Sequence, residues 1–210
     1  MTLGVNSRIL LCLMALSLLP NAFGQPALTP EQIKKLNEFF EKEKNTKDPI
    51  TQLRIGDLFR LGIFGKEKRK EAMTWYLKSA KQNDPRAFYR LGVAYLKGDK
   101  GFSGQGIPGI LEDQKKAFEY LHRAAKLGLP QAIGLVAISY ESGRGTEKNL
   151  VSAYGWYFLH HQTSQNDRSE KHLIRIQKVM TPEEIKKGVA FADMLSKLIS
   201  GLKEEQPSDK

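Results

Sequence analysis

The sequence predicts an all-α protein: an α/α solenoid of three helix-turn-helix repeats with flanking N- and C-terminal helices. Three observations predict it. A set of residue columns recurs at fixed offsets across residues 49–163. Each copy carries the start and stop signals of two antiparallel helices. The recurring columns set small residues beside aromatic ones, as closely stacked helices require.

The chain opens on a segment with the layout of a secretory signal peptide. Arg8 is its positive region, Ile9 to Leu19 is an apolar run interrupted only by Ser17, and Ala22-Phe23-Gly24 offers a cleavage site. The rival reading is a short anchor, but a spanning helix needs about 20 apolar residues. The single cysteine, Cys12, lies inside the apolar run after Leu11 and lacks the context of a lipidation signal. Cutting after Gly24 removes Arg8 and no acidic residue, so a net charge of +10 becomes +9. The exported chain then has no thiol, no disulfide and no cysteine-based metal site. Hydrophobic residues at 40% and charged residues at 27% describe a globular chain. The first helix belongs to the segment 25–48. Thr29-Pro30-Glu31-Gln32 starts it, and Ile33, Leu36, Phe39 and Phe40 share a face up to about Lys42.

The repeats begin at Pro49. The columns Ile55-Gly56, Phe59 and Gly62 recur 36 residues later as Leu91-Gly92, Tyr95 and Gly98. A nine-residue insertion follows, so Ala72, Trp75-Tyr76, Ala80 and Pro85 recur 45 residues later as Ala117, Tyr120-Leu121, Ala125 and Pro130. The third copy, offset by 81, reads Val136-Ala137, Tyr140, Gly143, Ala153 and Trp156-Tyr157. One register explains every column. Helix A is expected over 51–61, 87–97 and 132–142, and helix B over 68–82, 113–127 and 149–162. Gly62, Gly98 and Gly143 sit where helix A stops, a position that tolerates left-handed backbone. Asp84-Pro85 caps and starts the second helix A.

This pattern resembles the Sel-one-like repeat (SLR) family, kin of the tetratricopeptide repeats. The second copy carries the motif most fully, with Ala87, Leu91-Gly92, Tyr95, Gly98, Lys116-Ala117, Tyr120 and Ala124-Ala125. The first and third copies are degenerate, and the third reads His160-His161 where paired alanines are usual. After the repeats, residues 164–210 resemble what often follows the last repeat of this family. Arg168 to Val179 continues in helix. Thr181-Pro182-Glu183-Glu184 then starts an amphipathic helix carrying Ile185, Val189, Leu195, Leu198 and Ile199. It reads as a cap over the third repeat, followed by a polar tail from Lys203.

Motifs with chemistry are weak. Gly104 to Gly109 matches a dinucleotide fingerprint, but it follows a helix rather than a strand and reads as a loop of the 99–113 insertion, a candidate contact point. Ser200 to Lys203 matches S-x-x-K without its partner motifs. His122, His160, His161 and His172 lack metal-ligand spacing and read as packing or surface histidines. No nucleophile with a base is legible, so no enzyme activity, no cofactor and no metal is expected. The basic runs Lys66 to Lys70 and Lys115-Lys116 read as solvated surface.

The expectation is therefore an exported protein, periplasmic or secreted, that binds another protein of the envelope or of a host. If stacking curls the array with helix A inside, the partner-facing positions are Leu53, Asp57, Arg60, Tyr89, Val93, Leu96, Lys97, Ile138 and Glu141. The alternative is an anionic envelope polymer such as lipopolysaccharide or peptidoglycan, drawn by the positive charge. A hydrolase is a further alternative. Export argues against nucleic acid, and cleavage would leave no stable membrane span.

Overall fold

The computed structural model describes residues 29–100, 106–164 and 167–204. The expected signal peptide, the start of the Gly104–Gly109 loop and the end of the polar tail lie outside the described residues. Within the described residues every regular element is helical, which agrees with the all-α solenoid.

Helix α1, Pro30–Glu43, starts where the sequence places it. Thr29 accepts from the Gln32 backbone N–H, and the Gln32 side chain accepts from Thr29 in return. The three hairpins follow as α2 (Pro49–Arg60) with α3 (Glu71–Ala80), α4 (Pro85–Lys97) with α5 (Gln114–Lys126), and α6 (Pro130–Ser142) with α7 (Leu150–Ser164). Each helix A has proline in its first turn, where the missing N–H costs nothing. Asp48, Asp84 and Asp113 cap α2, α4 and α5 through their carboxylates. Gly143 ends α6 in the left-handed conformation, and Gly98 ends α4 with positive φ but extended ψ.

Each helix packs against its hairpin partner, and each helix B then packs on the next helix A. The small columns set these distances. A Cβ on Gly56 would come within 2.6 Å of the Tyr76 ring, and one on Gly92 within 2.7 Å of Leu121. These glycines let helix A settle onto helix B until the larger side chain fills the gap. One apolar core runs from Leu53 to Ile199 through all three hairpins. Phe40 of α1 joins its first end, edge-on to Phe59 at 5.4 Å and beside Phe64 at 5.0 Å.

Two more helices close the far end. Helix α8, Asp167–Gln177, and helix α9, Pro182–Glu204, both pack on α7, and α9 also reaches α5. Thr181 and Glu184 cap α9 reciprocally. Its buried stripe is Ala192, Leu195 and Ile199, while Leu198, expected on that stripe, is 44% exposed. The phase is set instead by a close crossing of Gly155 and Gly188. A Cβ on Gly155 would lie 2.8 Å from the Gly188 carbonyl, and one on Gly188 2.7 Å from the Tyr154 ring.

Candidate interaction surface

Helix A of each repeat supplies the expected partner face, and the structure divides its residues into two groups. Leu53 and Asp57 do not belong to that face. Leu53 is 6% exposed in the core, and Asp57 is 5% exposed between the first and second repeats. Asp57 holds a fork of contacts. Arg90 donates from Nε to Oδ1 at 2.8 Å and from Nη2 to Oδ2 at 3.1 Å, and the Tyr76 hydroxyl donates to Oδ1 at 2.7 Å. Burial and then the Asp57 charge hold the Tyr76 hydroxyl well above its usual pKa. Burial works against the Arg90 charge, yet Asp57 outweighs it and raises the Arg90 pKa. Arg60 also turns inward, with Nε 3.7 Å from Asp57 Oδ1. An ionised carboxylate taken out of water needs such partners, and sequence position alone did not name them.

Glu141 plays a comparable part at the other end. Its carboxylate accepts from the Tyr157 hydroxyl at 2.8 Å and from Arg175, and lies 3.3 Å from His172 Nδ1. Burial and this hydrogen bond raise the Tyr157 pKa. Glu141 thus ties α6 to α8 instead of standing free in a groove. The remaining helix A positions do reach solvent. Tyr89, Val93, Leu96 and Ile138 are half-buried and Lys97 is exposed. Arg90 lies over the Tyr89 ring at 6.0 Å.

Sequence reading missed a cleft between α6, α7 and α8, with a volume of about 330 Å³. Leu135, Ile138 and Tyr157 supply its apolar wall, and His160, Arg168 and His172 its polar one. His160 Nδ1 lies 2.5 Å from the hydroxyl of Ser169, which is 3% exposed. Burial, with His161 beside it, lowers the His160 pKa. His160-His161 in place of the paired alanines was the one sequence signal at this spot. The 99–113 insertion is not wholly extended. Ile107 is buried, and the Asp113 N–H donates to the Tyr95 carbonyl, while Leu111 stands 80% exposed.

Stacked helical hairpins presenting half-exposed aromatic and aliphatic side chains define a helical repeat scaffold. The chain belongs to the Sel1 repeat family, which matches residues 49–84, 85–129 and 130–159, more than half of its length. Sel1 repeats generally mediate protein–protein interaction. The chain is 32% identical over 101 residues to chitin synthase regulatory factor 1 of Schizosaccharomyces pombe, covering 47% of this chain and 20% of that protein. It is 32% identical over 83 residues to the chitin synthase regulator SKT5 of Saccharomyces cerevisiae, covering 40% and 11%. The chain therefore spans a fifth or less of the length of these curated relatives. Among solved structures, a protective antigen of uropathogenic Escherichia coli with an SLR fold superposes with a TM-score of 0.65 at 22% identity, over 87% of this chain and 37% of that one. That likeness is one of fold. A Sel1 repeat protein from Oxalobacter formigenes superposes with a TM-score of 0.56 at 25% identity, over 67% of this chain and 98% of that one.

Proposed function

We propose that this chain is a non-catalytic adaptor or regulator that binds a protein partner along its helix A face, outside the cytoplasm. The observation that carries the reading is the row Tyr89, Val93, Leu96 and Ile138, half-exposed on a rigid repeat frame with Lys97 at its edge. Aromatic and aliphatic anchors ringed by charge are what a protein interface uses. The fungal relatives carry names of regulators, not of catalysts, and this favours the same class of role here. The N-terminal apolar run favours export, periplasmic or secreted.

Capture from an envelope extract at physiological salt tests the reading. The purified chain is compared with a Tyr89→Ala, Leu96→Ala variant whose helicity is unchanged by circular dichroism. A protein retained by the parent and lost by the variant is the expected result. Retention of carbohydrate polymer alone, with steep loss as salt rises, would replace the adaptor with a binder of anionic polymer. Mass spectrometry of the chain from fractionated cells tests export, and a mature start at Gln25 is expected.

A further inference from the structure

The repeat column Trp75, Tyr120 and Trp156 is finished differently in each copy. Trp75 is 6% exposed, with Phe40 of α1 edge-on at 6.3 Å and Lys78 Nζ 4.0 Å over its ring. Trp156 is fully buried, with Phe191 of α9 edge-on at 6.2 Å and His122 of α5 at 5.7 Å. Tyr120 stays half-buried. Among the described residues its ring neighbours are Tyr95 and Phe88 of its own hairpin, and no flanking helix brings a ring to it. Its neighbour across the joint is exposed as well. His122 meets Trp156 between the second and third repeats, and 45 residues earlier the same position holds Leu77, 41% exposed on α3. The repeat thus places Leu77 beside Tyr120 on the outer seam between α3 and α5. One repeat later the matching seam is closed by α9, which lies on α7 and reaches α5.

The rim of the open seam is basic. Over residues 74–81 and 119–126 the charged groups are Lys78, Lys81, Arg123 and Lys126 against Glu119, all exposed. Lys78 and Arg123 share one repeat position and Lys81 and Lys126 another, so the cations stand in matched pairs on the two helices. No carboxylate among the described residues pairs with Lys81, Arg123 or Lys126. Arg123 lies 4.3 Å over the Phe88 ring, a contact that uses the face of the guanidinium and not its in-plane donors.

We propose that the seam between α3 and α5 docks an amphipathic helix of a protein partner. An aromatic or leucine side chain of that helix lies on Leu77 and Tyr120, and its carboxylates face Lys81, Arg123 and Lys126. The template is within the chain, because α9 closes the same column one repeat later with a single phenylalanine. The docked helix differs from α9 in charge and in distance. α7 meets α9 closely at Gly155, whereas α5 carries Glu119 at that position, so a helix there stands further out and is held by its flanks. An excess of Lys and Arg over Asp and Glu, 33 to 23, argues against a second copy of this chain as the occupant. The seam is a second surface, apart from the helix A row, and rests on the protein-binding reading above for the kind of partner.

Fluorescence polarisation at physiological salt tests it with a labelled, alanine-based peptide of about 18 residues, long enough for five helical turns. Phenylalanine and leucine recur at helical spacing along one face, and glutamates flank them. One control peptide carries glutamines for the glutamates, and a second scatters the apolar residues around the helix. Saturable binding of the parent peptide is expected. It is weakened roughly tenfold or more by either control, by Leu77→Glu, and by the pair Lys81→Gln, Arg123→Gln, the size of one lost anchor. These side chains are exposed, and unchanged circular dichroism verifies that the variants fold. Hydrogen exchange in the complex is expected to slow along residues 71–81 and 114–126 and not in α6. Equal binding of the scattered peptide, an unchanged affinity of Leu77→Glu, or no saturation at millimolar protein would each overturn the proposal. So would a dimer of the chain that Leu77→Glu dissociates, because the seam would then belong to a second copy. The two readings fail separately. A captured partner lost on Tyr89→Ala, Leu96→Ala but kept on Leu77→Glu removes the seam and leaves the adaptor. Peptide binding lost on Leu77→Glu, with every captured partner indifferent to Tyr89→Ala, Leu96→Ala, keeps the seam and removes the helix A row.

Discussion

At the residue scale, the contact of Asp57 with Arg90 and Tyr76 is polar in only one of the places where the repeat offers it. The equivalent positions in the next copy are Val93 for Asp57, Leu121 for Tyr76 and Leu135 for Arg90. There the same space is filled by aliphatic packing. Both solutions are stable because each is internally consistent: a buried charge with all its partners, or none. A half-removed network is neither. Asp57→Val alone leaves a cation and a hydroxyl without their acceptor and is expected to cost about 2–4 kcal/mol, toward the lower end because Arg90 keeps some contact with solvent. The triple change Asp57→Val, Tyr76→Leu, Arg90→Leu copies the second joint and is expected to recover most of that loss. Urea unfolding of the two variants checks this. A triple variant no more stable than the single one would mean that the network contributes specific net stability here.

At the element scale, α9 is placed by its small residues more than by its large ones. Leu198 lies outside the buried stripe, and the helix turns so that Gly188 and Ala192 meet α7 at Gly155. A leucine at position 188 would drive into Tyr154, whose hydroxyl also accepts from Gln177. Gly188→Leu is therefore expected to lift α9 from α7 at a cost of about 1–3 kcal/mol from overpacking. Hydrogen exchange should then rise along residues 182–204 and 150–164 and stay unchanged in α2 and α3, because a stacked array responds first in the neighbouring unit. Uniform protection after the change would show that the crossing has slack. This placement was not legible in the sequence. The amphipathic pattern of Ile185, Val189 and Leu195 identified a packed helix, and Leu198 pulled the expected stripe toward the wrong side.

For the whole molecule, the array has two histidine-containing joints in its C-terminal half. His122 of α5 stacks on Phe118 at 5.3 Å and meets Trp156 edge-on at 5.7 Å, between the second and third hairpins. His160 sits between α6 and α8. Burial, with Lys126 near His122 and His161 near His160, lowers both pKa values below the usual range. As pH falls, the unfolded chain takes up these protons first. Stability from the two joints is full above pH of about 6.5 and falls as the solution is acidified below it. The expected outcome is a urea midpoint that drops between pH 7 and pH 5, with a shallower drop for His122→Phe, which keeps the ring stack without the charge. An equally steep drop in that variant would assign the acid response to other groups.

What the sequence determined by itself is the part of this protein governed by neighbours in the chain. Caps, prolines in first turns and helix-ending glycines act over three or four residues, and the 36- and 45-residue offsets repeat those signals. Helix positions, hairpin order and the close small columns were therefore readable from one chain. The tertiary structure decided which way a polar residue on such a helix faces. Helix phase alone places Asp57 on the outer face, but it is buried because Arg90, 33 residues on, brings its guanidinium to it across a joint between repeats. Glu141 is held by Arg175 across 34 residues, and the cleft exists because α8 returns beside α6. The physical reason is reach. Helix formation is recorded in adjacent side chains, whereas the free energy of a buried charge depends on partners that only the folded stack brings within 3 Å.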